Sequence, residues 1–70
     1  MTNDEMKTAL LNNEKVSYKT AEGTEIEMTM FGIVYRNNGK GGIRISAELL
    51  DRNGNSLIVC NPKEVKKLSL

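Results

Sequence analysis

The sequence predicts a small, mainly β domain in which one short N-terminal helix precedes an antiparallel sheet. Apolar residues first repeat at helical spacing and then, from Lys15 onward, alternate with polar residues. Connections that contain glycine separate the alternating segments, as is typical of hairpins. A chain of 70 residues is expected to form one domain over residues 1–70, with a helix over 2–12 and a small β-barrel over 15–70.

Composition limits the functions that this chain can have. The formal net charge of +1 provides no long-range field that would attract nucleic acid or an anionic membrane. The single cysteine, Cys60, excludes an internal disulfide. The apolar runs are too short to cross a bilayer, and residues 1–5 lack the features of a signal peptide. We therefore expect a cytoplasmic protein with no membrane partner, in which Cys60 is a free thiol.

The predicted helix begins at a capping box, because Thr2 and Glu5 have the spacing at which each side chain binds a backbone N–H of the other residue. An apolar stripe follows at helical spacing: Met6, Ala9 and Leu10. The helix is expected to end near residues 12 and 13, since asparagine tolerates the left-handed conformation that closes helices. A helix this short needs a surface on which to dock.

The first predicted hairpin turns at residues 21–23. Apolar and polar residues alternate on both sides of this turn, so one register places the apolar residues on one face and the charged residues on the other. This register pairs Val16 with Met28, Tyr18 with Ile26 and Lys19 with Glu25.

The second predicted hairpin joins a long strand over about 24–36 to a strand over about 43–51, through the loop 37–42. Its predicted pairs are Met30 with Leu49, Gly32 with Ala47, Val34 with Ile45, Tyr35 with Arg44 and Glu27 with Arg52. The third hairpin turns at Asn53–Gly54, a dipeptide that favours a type I′ turn. It pairs Leu49 with Ile58 and Ala47 with Cys60.

The hairpins agree on one apolar face, which is the predicted core: Val16, Tyr18, Ile26, Met28, Met30, Val34, Ile43, Ile45, Leu49 and Ile58. A second apolar set lies on the opposite face: Phe31, Ile33, Tyr35, Leu50, Leu57 and Val59. Three arrangements would cover this second set. The helix lies on it, the sheet curls with Gly32 as a kink or bulge, or a partner protein covers it.

The C-terminal segment predicts one helical turn and a last short strand. Asn61 is suited to the N-cap, Pro62 to the first helical position and Glu64 to the third. Residues 66–70 then alternate as a strand does. The predicted order is therefore hairpin-linked strands, a single helical turn and a closing strand. This order resembles that of a Src-homology-3-like small barrel, a fold that serves many functions.

The sequence contains no pattern that indicates catalysis or a cofactor. Segment 51–55 has oxygen ligands at calcium-loop spacing, but Ser56 and Pro62 stand where such a loop requires glycine and glutamate. Segment 39–42 lacks the hydroxyl residue and the following helix of a phosphate-binding loop. A Ser or Cys nucleophile would usually need a histidine base, and the chain has none. We expect no enzymatic activity, no cofactor, no metal and no small-molecule substrate.

Two surfaces are candidates for binding. The preferred hypothesis is a protein interface, formed by a partner protein or by self-association, with these residues: Phe31, Ile33, Tyr35 and Leu50. The alternative is weak nucleic-acid binding by the basic 36–44 loop, with these residues: Tyr35, Arg36, Lys40 and Arg44. The protein interface is preferred because aromatic residues are few and Glu48 shares a face with Arg44.

The segment AELLDRNGNSLIVCNP at 47–62, preceded by LLNNEKV at 10–16, resembles short proteins encoded by phages and prophages of Gram-positive bacteria. The resemblance covers most of the chain. It implies a small accessory phage protein and assigns no role to any residue.

Overall fold

The computed structural model describes residues 1–68, which form one helix and a five-stranded antiparallel sheet. The elements in chain order are α1 (Asn3–Leu11), β1 (Lys15–Lys19), β2 (Glu25–Asn37), β3 (Ile43–Leu50), β4 (Leu57–Cys60), a 3₁₀ turn (Pro62–Glu64) and β5 (Val65–Lys67). The strand order is β4-β3-β2-β1-β5. The mainly β class with an N-terminal helix is confirmed. Within residues 1–68 the sheet is open, with β4 and β5 as its two edges.

Helix α1 begins and ends as predicted. The Glu5 N–H donates to Thr2 Oγ1 over 3.2 Å, and the Thr2 N–H donates to Glu5 Oε1 over 2.8 Å, which completes the capping box. Beyond the last turn, Asn13 takes a left-handed conformation with φ of 54°. Met6 and Ala9 are buried, so the helix docks through the predicted apolar stripe.

The first hairpin has the predicted register, in which Val16 pairs with Met28 and Tyr18 with Ile26. The predicted C-terminal turn also forms, because Asn61 Oδ1 accepts the Lys63 N–H over 2.9 Å at its N-cap. Strand β5 pairs with β1 on the other side from β2. Strand β5 covers Val65–Lys67, whereas the predicted strand covered 66–70. Positions 69 and 70 of the predicted strand lie outside the described residues.

The third hairpin confirms the predicted pairs Ala47–Cys60 and Leu49–Ile58, although the turn differs from the prediction. Of the residues at its tip, Gly54 has a positive φ of 71° and Asn53 does not, which excludes a type I′ turn. Instead, the Gly54 N–H donates to the Asp51 carbonyl over 3.1 Å. A longer loop therefore produces the same register.

The second hairpin departs from the predicted register at a bulge. Met30 pairs with Leu49 as predicted, but the register then shifts by one residue. The pairs beyond the shift are Gly32–Glu48, Ile33–Ala47, Val34–Ser46, Tyr35–Ile45 and Arg36–Arg44. Phe31 is the extra residue on β2. The predicted pairs of Gly32 with Ala47, Val34 with Ile45 and Tyr35 with Arg44 are therefore wrong.

The predicted contact between Glu27 and Arg52 is also wrong. Strand β3 ends at Leu50, so Arg52 lies in the turn beyond the paired residues. Glu27 lies beside Lys15 instead, with 3.4 Å between Glu27 Oε2 and Lys15 Nζ.

The core lies between α1 and one face of the sheet. Its buried apolar members are Met6, Ala9, Val16, Met28, Met30, Ala47, Leu49, Cys60 and Val65. Ile33 packs against this core, whereas the predicted core residue Val34 lies on the other face because of the bulge. The predicted core residue Ile43 is 69% exposed, since β3 extends beyond the core there. No helix within residues 1–68 has the length and apolar character needed to span a membrane.

Candidate binding surface

Helix α1 lies on one face of the sheet, here called the inner face. The Tyr35 hydroxyl donates to Asn3 Oδ1 over 2.9 Å, and Lys67 Nζ lies 4.0 Å from Glu5 Oε2. Met6, on the apolar stripe of the helix, is buried among the inner-face residues. The helix therefore covers the observed core on the inner face, and it leaves the opposite, outer face of the sheet uncovered.

An apolar patch lies on the outer face of β2, β3 and β4. Phe31 is 54% exposed, Leu57 47% and Val59 61%. Leu50 pairs with Leu57 across the sheet and is half-buried, as is Val34 on β2. We call these five residues the outer patch: Phe31, Val34, Leu50, Leu57 and Val59. Glu48 lies on the same face between Val59 and Gly32, and its carboxylate reaches over Gly32. Exposed apolar side chains grouped in this way are typical of interaction surfaces.

The structure brings together only part of the predicted protein interface. Phe31 and Leu50 lie in the outer patch, whereas Ile33 and Tyr35 lie on the inner face. The bulge causes this difference, because one extra residue moves every following side chain of β2 to the other face. Val34 joins the patch for the same reason. No local sequence signal places the extra residue at position 31, although Gly32 marks the region.

Leu57 and Val59 belong to the outer patch but not to the predicted interface. The sequence already placed both on the second apolar face, through the register of the third hairpin. Their location beside Leu50 and Glu48 follows from the confirmed pairs of β3 and β4.

The rest of the outer face is a ladder of charged and polar side chains on β1, β2 and β5. Lys66 Nζ lies 2.7 Å from Glu25 Oε1, and the Ser17 hydroxyl donates to the same oxygen over 3.1 Å. These two hydrogen bonds, with Lys66 first, lower the pKa of Glu25. Glu27 uses Oε2 for Lys15. Each of these glutamates thus keeps one carboxylate oxygen with no partner among residues 1–68.

Two arginines lie side by side at the other end of the outer face. Arg36 and Arg44 are a direct cross-strand pair, and both are exposed. Neither forms an ion pair within the described part of the chain. Lys40 lies in the exposed loop that follows β2, where its backbone N–H donates to Asn38 Oδ1 over 2.8 Å.

The predicted nucleic-acid contacts are therefore only partly assembled. Arg36 and Arg44 share the outer face, but Tyr35 lies on the inner face with its hydroxyl bonded to Asn3. A groove beside the two arginines is also lined by Glu64, whose carboxylate makes that groove less suited to an anion. The stacking aromatic of the predicted site is thus separated from its cations.

Cys60 is buried at the end of β4, and burial followed by the nearby Glu64 raises its pKa to about 11. Such a thiol stays protonated at neutral pH and is a poor nucleophile. In the described range, no three carboxylate or thiol side chains come together as metal ligands.

Comparison with protein families, curated proteins and solved structures yields no match for this chain.

Proposed function

We propose that this protein is a small, non-enzymatic interaction module that binds another protein chain through the outer patch. The observation that carries the proposal is the exposure of Phe31, Leu57 and Val59 on the face that α1 does not cover. Full burial of a large apolar side chain contributes about 1.5–3 kcal/mol, so a partner that covers these three would gain substantial binding free energy. The raised pKa of Cys60 makes this thiol unsuited to act as a nucleophile.

We further propose that the sheet curves into a Src-homology-3-like small barrel. Its two edge strands are connected only through Asn61 and the 3₁₀ turn Pro62–Glu64, in which each residue rises about 2 Å. The edges of a flat five-stranded sheet would lie about 19 Å apart, at a strand spacing of about 4.8 Å. The short connection therefore favours strong curvature. A cytoplasmic accessory protein of a phage or prophage would suit such a module.

The protein interface can be tested by comparing proteins retained on the immobilised chain with those retained on two variants. Phe31→Ser with Leu57→Ser removes the centre and one side of the outer patch. Ile43→Ser is the matched control, because Ile43 is also a large exposed apolar residue but lies outside the patch. The partner should be retained by the wild type and by the control, and lost by the double variant.

A candidate partner from this comparison is then purified and titrated against all three proteins by calorimetry. Apolar burial predicts a negative heat-capacity change for the wild type and the control. Equal affinity for the double variant would overturn the proposal, provided that its circular dichroism matches that of the wild type.

A second candidate function, weak nucleic-acid binding, is favoured by the direct Arg36–Arg44 pair, in which two cations face the same side. Addition of a single-stranded oligonucleotide at low salt would shift the amide NMR signals of residues 36–44. Those shifts would vanish as salt rises, because phosphate binding releases counterions. An unresponsive 36–44 segment would exclude this function.

A further inference from the structure

The outer face of β2 carries a stripe of side chains with opposite charges at its two ends. In order along the strand the stripe is Glu27, Thr29, Phe31, Val34 and Arg36. Phe31 is at the centre, because the extra residue of the bulge accounts for the longer interval between Phe31 and Val34. The stripe thus has an acidic end, a basic end and a centre formed by Phe31 and Val34, with the Glu48 carboxylate of β3 lying between them over Gly32.

A stripe of this kind is complementary to itself when its copy runs in the opposite direction. In a two-fold interface, residue i of one chain meets residue j of the other, and j meets i in turn. An axis that crosses β2 at Phe31 would bring the two Phe31 rings together. It would also bring Thr29 of each chain to Val34 of the other, and Glu27 of each chain to Arg36 of the other. The two Glu48 carboxylates would lie near the axis, where their like charges weaken the association that the rest of the stripe favours.

We propose that the partner of the outer patch is a second copy of this chain, docked across a two-fold axis at Phe31. This inference rests on the proposed protein-binding function and names the partner. Val59 and Leu57 lie on the same face, two strands away from β2, and extend the apolar contact. Paired aromatic rings at the axis add to the attraction beyond the area that they bury.

The charges at the two ends of the stripe are available for a second chain. Arg36 has no ion-pair partner within residues 1–68. Glu27 uses only Oε2 for Lys15, at 3.4 Å, and exposed pairs of this kind are weak. A guanidinium prefers a carboxylate that offers a free oxygen, so Arg36 of a second chain can bind Glu27 Oε1. Arg44, paired with Arg36, adds a second cation at the same end.

Charge reversal tests this arrangement by sedimentation velocity over roughly 10 µM to 1 mM protein, a range that resolves micromolar and weaker dimers. The wild type should sediment as a concentration-dependent dimer. Arg36→Glu leaves both ends of the stripe acidic, and Glu27→Lys leaves both ends basic. Each variant alone should dimerise at least about tenfold more weakly, because like charges then oppose each other twice in every dimer.

An equimolar mixture of the two variants is the decisive sample. In a mixed dimer the acidic stripe of one chain faces the basic stripe of the other, so association should return to within about threefold of the wild-type dissociation constant. Lys7→Glu and Glu22→Lys are the controls, since they change the net charge by the same amounts at exposed positions outside the stripe. Both controls should associate as the wild type does.

A wild type that remains monomeric at every concentration would overturn the inference. So would a mixture of the two variants that associates no more strongly than either variant alone. The proposed function would survive that result if capture of a different protein still depended on Phe31 and Leu57. Equal weakening by the control variants would show a net-charge effect and would also overturn the two-fold arrangement. Circular dichroism of each variant confirms that the fold is retained.

Discussion

Gly32 of β2 pairs with Glu48 of β3, one residue out of step with the pair that precedes it. A Cβ on residue 32 would collide with the Glu48 carboxylate, which lies over the glycine. The shift determines which of residues 33 and 34 faces α1, and therefore which side chains form the outer patch.

The bulge predicts that threonine costs more stability at position 33 than at position 34. Threonine keeps the branched shape that suits strands, so the comparison reports the burial of a hydroxyl, together with the loss of one methyl group at position 33. Ile33 packs against the core, and Ile33→Thr should lower the free energy of unfolding by about 2 kcal/mol. Val34→Thr should change it by less than about 0.5 kcal/mol. Urea unfolding measures both, and a larger loss at Val34 would indicate an unshifted register.

The position of the core predicts a large effect at Leu49, which is 0% exposed. Leu49→Ala should destabilise the protein by about 2–5 kcal/mol, through lost burial and a residual cavity. Leu11→Ala deletes the same atoms from a side chain that is 86% exposed, and it should change stability by less than about 0.5 kcal/mol. Thermal unfolding of the two variants tests the prediction, and similar losses would contradict it.

The positions of the turns and the alternation of apolar residues predicted most of the sheet, although the third turn is not the expected type I′ turn. The first and third hairpins have the predicted registers, because one face of each strand pair is buried and a slip would expose it. The capping residues Thr2 and Asn61 marked both helical segments correctly. These features are determined by residues that are close together in the sequence, so they can be predicted from one sequence alone.

A kink or bulge at Gly32 was one of the three arrangements that the sequence allowed, but the sequence could not show that Phe31 is the extra residue. Both β2 faces are apolar around this position, so the pattern fits a register with or without the extra residue. The sequence did indicate the second apolar face. Ile33 and Tyr35 nevertheless lie on the inner face and Val34 on the outer face, which depends on the pairing with β3 and on the docked helix. The sequence therefore predicted the face on which the candidate site lies and two of its members, Phe31 and Leu50, but not the others.

Acid should destabilise the protein through Glu5 and Glu25. The Thr2 backbone N–H lowers the pKa of Glu5, and the Lys66 ammonium lowers that of Glu25. A carboxylate whose pKa is lower in the folded state contributes stability above the unfolded pKa of about 4.3. That stability is lost as the pH falls through the folded pKa.

Glu25→Gln should therefore lose less stability than the wild type when the melting temperature is followed from neutral pH to below about pH 4. Glu22→Gln, in the turn before β2, is the control because no ion pair or hydrogen bond of its carboxylate is present within residues 1–68. An identical acid profile for Glu25→Gln and the wild type would contradict the role of the Lys66–Glu25 pair.

Cys60 should react slowly with alkylating reagents in the native protein. With a pKa of about 11, only about one thiol in a thousand is ionised at pH 8. Burial slows the reaction further, so unfolding in urea should accelerate alkylation by iodoacetamide by more than about a hundredfold. Mass spectrometry follows the modification. Rapid labelling without urea would contradict the buried position at the end of β4.

The central claim is that α1 covers the inner face and leaves the outer patch open. The most direct measurement is a nuclear Overhauser experiment on dilute protein with labelled methyl groups and a labelled Phe31 ring. The account predicts cross-peaks from the methyl groups of Met6 and Ala9 to those of Met28 and Met30, and none to Phe31. Cross-peaks between the Phe31 ring and α1 would contradict it, because the helix would then occupy the proposed binding surface.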